Sequence, residues 1–188
     1  MSSAPLTPYW GHPQHDHFRH TWQLLYNACT SGRRPANMTL KQFIDEGISL
    51  TRYLETHHGI EETYLFPLLA RKMPQFQAGS GRGKTGAAEL LRQHQQIHAG
   101  SKSFPLPVLL LPLSRFLSLT FPRTVDVFVA YLRSCRNREC ELELSVMKEK
   151  MDSWGPVLLK HLDQEVETLG AENMRKYWTM EEMKAIPI

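Results

Sequence analysis

Three pairs of residues, His57 with Glu61, His94 with His98 and His161 with Glu165, are each spaced four apart in the sequence. Residues i and i+4 of a helix lie on one face a turn apart, so each pair can offer two ligand atoms to one metal ion. A single such pair is commonly a solvated helix pair. Three of them on the inward faces of separate helices predict metal in a shared interior, and His17 on a further helix completes the set. If both carboxylates bridge two ions they supply about four oxygens, the imidazoles about five nitrogens, and a bridging oxo or hydroxo group about two more contacts. Two octahedral ions want about twelve, which leaves one position open for dioxygen or a similar small ligand. Burial favours neutral imidazoles and requires the carboxylates to be compensated, which cations do.

The elements that must carry these side chains read as helices throughout, since strand-type alternation is scarce and helical periodicity runs along most of the chain. The first helix spans roughly 14–30 and stops near Ser31, Gly32 and Pro35. It carries His17, with His20 one turn on as its rival. The second, roughly 39–72, steps by four and three through Phe43, Gly47, Leu50, Leu54, His57, Glu61, Tyr64 and Leu68, a bundle seam that turns His57 and Glu61 inward. The shifted register through Ile44, Thr51, Glu55 and His58 buries less well. Tyr64 on this seam reads as core packing, or else as a hydrogen-bond partner of a metal-bound ligand. Pro67 should kink or tighten the last turns.

The third helix places Ala87, Leu91, His94 and His98 on one face. The fourth, about 139–169, aligns Leu144, Met147, Met151, Trp154, Leu158, His161 and Glu165, with a bend expected at Gly155 and Pro156. Beyond it, Thr179 and Glu182 have the spacing of a capping box. His12, His15, His20 and His58 are assigned to surface or supporting roles.

Several function classes are disfavoured. The formal net charge is only +3 and the basic residues are scattered, so nucleic acid is not an expected partner. The cysteines, Cys29, Cys135 and Cys140, are odd in number and lack zinc-type spacing, which fits a reducing, cytoplasmic setting. No signal pattern opens the chain. The loop Gly79–Gly86 (GSGRGKTG) has three residues, not four, between Gly79 and Gly83 and no leading strand, so it reads as a loop rather than a phosphate cradle. A ferritin-like site would need Glu-x-x-His on two helices, and Glu55 with His58 is the one match.

Residues 101–124 (SKSFPLPVLLLPLSRFLSLTFPRT) stand apart. Prolines at 105, 107, 112 and 122 deny this stretch any amphipathic period and make it a poor membrane span. Its Ser, Phe, Leu and Pro have pyrimidine-rich codons, and Ser101-Lys102-Ser103 can be encoded by a splice-donor consensus, which points to a translated intron. Removing it would join His98-Ala99-Gly100 to roughly Asp126–Leu132 as one amphipathic helix. The competing reading is a proline-rich connection between helices. The chain is otherwise expected to form one domain over 1–188.

The motifs DHFRH, HHGIEETYLFPLL, QHQQIHAG and KHLDQEVETLG closely resemble the hemerythrin-like, HHE cation-binding family. The resemblance implies an antiparallel four-helix bundle, here with a short C-terminal extension, around a non-heme di-iron site. By matching positions it implies His17, His57, Glu61, His94, His98, His161 and Glu165 as ligands, the same seven that spacing selects. Oxygen-carrying hemerythrins end on a histidine and an aspartate five apart. His161 and Glu165 are four apart, as in the broader family that includes iron sensors and repair proteins. The expected function is a di-iron protein that binds dioxygen or another small diatomic ligand as carrier, sensor or iron store. The alternative is an oxidase or oxygenase for a small organic substrate, which needs a pocket beside the open coordination position. Imidazole with carboxylate also suits manganese or zinc, and a protein partner that reads the metal state fits an iron sensor.

Overall fold

A computed structural model describes residues 12–77, 87–98 and 124–186. These residues are helical with no strand among them. The helices are α1 (His12–Ser31), α2 (Leu40–Ile60), α3 (Phe66–Leu69), α4 (Ala87–His98), α5 (Thr124–Arg136), α6 (Leu144–Asp152), α7 (Gly155–Leu169), α8 (Ala171–Met174) and α9 (Met180–Lys184). A π-helical turn, Glu61–Leu65, joins α2 to α3. The N-terminal residues, the glycine-rich loop and the stretch from 99 to 123 lie outside the described residues.

The helix ends have local causes. Gly32 closes α1 at φ 66, with the Arg33 amide 3.1 Å from the Ala28 carbonyl, a left-handed cap that favours glycine. Thr39 and Gln42 cap each other reciprocally at the start of α2, and Thr179 with Glu182 does the same for α9, as the spacing foretold. The π-helical turn answers Pro67. In an α-helix the proline ring would meet the carbonyl of Thr63 and leave it without a donor. Widening the turn, with the Phe66 amide donating to the Glu61 carbonyl five residues back, takes up the mismatch.

That extra residue moves the seam. Past Glu61 the buried positions are Leu65, Phe66 and Leu69, while Tyr64, expected on the core face, is 70% exposed. The stripe on α2 is also wider than one register. Ile44, Thr51 and His58 are buried beside Phe43, Gly47, Leu50 and Leu54, because α2 packs against α1 on one side and α5 on the other.

The fourth helix divides where the glycine predicts. A Cβ on Gly155 would overlap the Trp22 indole, which meets Trp154 edge-on at 4.7 Å. Glycine therefore permits the start of α7 to lie directly against the Trp22 ring of α1.

Helices α4 and α5 pack against α7 and α6 respectively, and against each other. Besides Gln93, their buried residues among those described are Leu90, His94 and Ile97, then Val125, Phe128, Leu132 and Cys135. Counted with residues 101–124 left out, those seven positions step four, three, four, three, four, three. The period of one amphipathic helix passes unbroken from α4 into α5.

Two apolar clusters result. The larger joins α1, α2, α5, α6 and α7 around Trp22, Phe43, Phe128 and Trp154, and reaches the end of α4 through Ile97. The smaller gathers Leu65, Phe66, Leu69, Met73, Leu90, Leu169, Met174 and Trp178. Along α2, α4 and α7 the histidines and carboxylates fall between these clusters, so apolar side chains shield them one turn away on either side.

Candidate metal centre

Two groups of potential ligand atoms meet in this gap. His58, Glu61, His94 and His161 form one, and His15, His57, Glu61 and Glu165 the other; within each group the atoms lie within 4.8 Å of one another. Glu61 belongs to both. Glu165 also reaches across, with Oε2 3.1 Å from His161 Nε2 and 3.2 Å from His15 Nε2. His57 Nε2 is 3.1 Å from Glu61 Oε1 and 3.1 Å from His15 Nε2, and His94 Nε2 is 3.6 Å from Glu61 Oε2.

Five of the residues singled out by spacing are brought together: His57, Glu61, His94, His161 and Glu165. His17 is not among them. Its side chain is exposed and stands edge-on to Tyr53, and His20 is exposed as well. His15 takes the interior place, because the buried stripe of α1 runs back from Cys29 through Leu25, Trp22 and Phe18 in steps of four, three and four, then three more to His15. His58, assigned to a supporting role, is buried in the cluster and stacks on His94 with ring centroids 3.9 Å apart. The His98 side chain lies outside the described residues.

Partners behind the cluster orient the rings. His94 Nδ1 is 3.0 Å from Glu62 Oε1 and His161 Nδ1 3.3 Å from Gln93 Oε1. Each oxygen is placed to accept an Nδ1 proton, which turns Nε2 toward the carboxylates, the usual arrangement behind metal-ligating histidines. The Gln93 amide donates in turn to Gln164 and Glu89. Sequence reading missed Glu62 and Gln93, although each lies one residue from a singled-out ligand candidate.

The protonation pattern follows from crowding charge into a dry space. Burial, aided by the facing Glu165 carboxylate, raises the Glu61 carboxyl well above its ordinary range. Burial would raise Glu165 too, but its contacts with Glu61, His15 and His161 outweigh that and hold it well below. Burial also lowers His57 from 6.5 to about 4. Without cations, a proton on this pair therefore sits on Glu61 in preference to Glu165.

The donor set fits metal. His161 Nε2, Glu61 Oε2 and both oxygens of Glu165 are buried without a hydrogen bond, an arrangement costly in an apolar interior unless something else satisfies the atoms. All are ligand-type atoms, and neutral imidazole with carboxylate suits iron, manganese or zinc.

These features describe an all-helical protein with a buried histidine and carboxylate cluster. The model of the hemerythrin HHE cation-binding domain matches residues 12–105, half of the 188, and the chain belongs to that family. The match takes in α1, α2 and α4 and ends inside the proline-rich stretch, before His161 and Glu165. No match was found among curated proteins or solved structures. No described helix is long and apolar enough to cross a membrane.

Proposed function

We propose that this protein holds two iron ions between α1, α2, α4 and α7 and binds dioxygen or a related small ligand there, as a carrier, sensor or iron store. The observation that carries the reading is the sharing of Glu61 between two ligand groups, the relation expected of a carboxylate bridging two ions. His15, His57 and Glu165 would serve one ion and His58, His94 and His161 the other, and Glu165 Oε2 lies within 3.2 Å of His15 in the first group and 3.1 Å of His161 in the second. His98 stays a candidate ligand from sequence spacing. An iron pair would supply redox chemistry toward dioxygen. The protein's own part is to hold the His57 imidazole neutral, to fix the rings of His94 and His161 from behind through Glu62 and Gln93, and to keep bulk water away with Phe18, Leu54, Phe66 and Leu90.

The proposed frame is an antiparallel four-helix bundle. Its rods are α1, then α2 with α3, then α4 with α5, then α6 with α7. Pairing of α4 with α7 and of α5 with α6 is the contact pattern of a third rod followed by an antiparallel fourth. On this reading the whole chain is one domain, and residues 101–124 interrupt its third rod.

A second reading has its own support. A cavity of about 850 Å³ is lined in part by His57 and Glu61, so an organic molecule could reach the same centre, as an oxidase or oxygenase requires.

The deciding measurement is metal content per chain together with the optical spectrum of the aerobic protein. About two irons with an oxo-bridge charge-transfer band are expected. A chain that refolds in excess iron(II) yet retains none would end the proposal.

A further inference from the structure

The cavity beside the cluster is far larger than a diatomic ligand needs and falls within the roughly 300–1,000 Å³ of pockets that take organic ligands. Its walls are mostly apolar, built from Phe18 of α1, Ile60, Leu65 and Leu68 around the π-helical turn, and Leu169. Among its polar lining residues His57 and Glu61 are the least exposed, whereas His17, Tyr53, Tyr64 and Arg71 are exposed. The inner end is therefore the cluster and the outer end a polar rim.

The two halves of the cluster are unequal in this respect. His57 and Glu61 of one ligand group line the cavity, while His58, His94 and His161 of the other do not. Any molecule in the cavity meets the cluster from the His57 side. Apart from Glu61, Arg71 is the one fixed charge among the lining residues, and it makes no ion pair among the described residues. A guanidinium presents paired donors that match a carboxylate, and no carboxylate other than Glu61 is among the described lining residues.

We infer that this cavity binds an organic monocarboxylate with an apolar body, its carboxylate at Arg71 and its body along Phe18, Ile60 and Leu65 toward His57 and Glu61. The inference deepens the organic-ligand reading above and rests on the cluster being a metal centre for its chemical consequence, though not for binding itself. The exposed Tyr53, Ile60 and Tyr64 have a use on this account, since they extend the apolar wall to the rim.

The test uses the full chain, metal-free and loaded anaerobically with iron(II), with bound anilinonaphthalene sulfonate as a fluorescent reporter. Decanoate should displace the reporter at concentrations about tenfold lower than decanol, a difference of one charge-assisted contact. Arg71→Ala should abolish the preference and Arg71→Lys should restore part of it. Thr56→Trp, which fills the cavity from its wall, should weaken both probes. Equal displacement by acid and alcohol, an unchanged preference in Arg71→Ala, or no displacement at all would overturn the inference. Iron content read on the same samples separates the two failures: binding without iron sinks the metal reading alone, and iron without binding sinks this one alone.

Discussion

The carboxylate of Glu62 stands behind the ring of His94, with Oε1 3.0 Å from Nδ1, and so fixes which nitrogen turns toward Glu61. Glu62→Ala should therefore lower metal affinity by about 10–100-fold, the usual cost of losing such an outer partner. Glu62→Gln should recover part of it. Competition with a calibrated chelator reads the change, and an unchanged affinity in both variants would remove Glu62 from the account.

Acid should destabilise the metal-free protein over a defined range. The unfolded chain protonates His57 near 6.5 and the folded chain near 4, so between these values the unfolded state binds more protons. Stability from this group is intact above 6.5, falls as pH drops through the window, and is lost in full below 4, for a total of about 3 kcal/mol. Urea unfolding at a series of pH values should show the slope, and His57→Gln should flatten it.

Gly155→Ala forces a methyl into the Trp22 indole and should cost about 1–3 kcal/mol, as overpacking does. If the clash is the cause, Trp22→Leu should absorb most of the penalty. A double-mutant cycle by denaturant unfolding measures that coupling.

Removing residues 101–124 should leave a folded, more stable protein that binds metal at least as well, because Val125 then follows Ile97 at the spacing of one continuous helix. Removing only 101–122 advances α5 by two residues, roughly 200° around the helix at 3.6 residues per turn, and should fail to fold. Circular dichroism and thermal unfolding of the two variants distinguish them. Equal behaviour would mean that the shared period is accidental.

The thiols of Cys135 and Cys140 are 3.4 Å apart, the first buried and the second exposed. Burial pushes Cys135 up to about 11, so peroxide should react first at Cys140, and Cys135 should then displace water to close a disulfide. Loss of two titratable thiols and a linked peptide pair in mass mapping are the expected readouts.

The amphipathic period disclosed most of this architecture, and the reasons for its lapses are specific. His57, Glu61, His94, His161 and Glu165 were legible because ligand spacing and seam coincide. His15 was missed because the motif DHFRH begins one residue after it and offers His17 in its place. The stripe through Phe18, Trp22, Leu25 and Cys29, extended backward, would have found it. His58 was hidden by treating α2 as having one inward register, although a helix flanked by two neighbours buries two. Tyr64 was misplaced because a turn with one extra residue leaves no trace in a 3.6-residue period. Its signal was chemical, in Pro67.

The cluster joins helices far apart in the chain, α1 and α7, with His15 meeting Glu165. A nascent chain on the ribosome can present the imidazoles of α1 and α2 but has no enclosed place for an ion until α7 emerges. Any metal taken up there must therefore wait for α7, and a premature stop ahead of α7 yields a product without this enclosure, however well its first helices form.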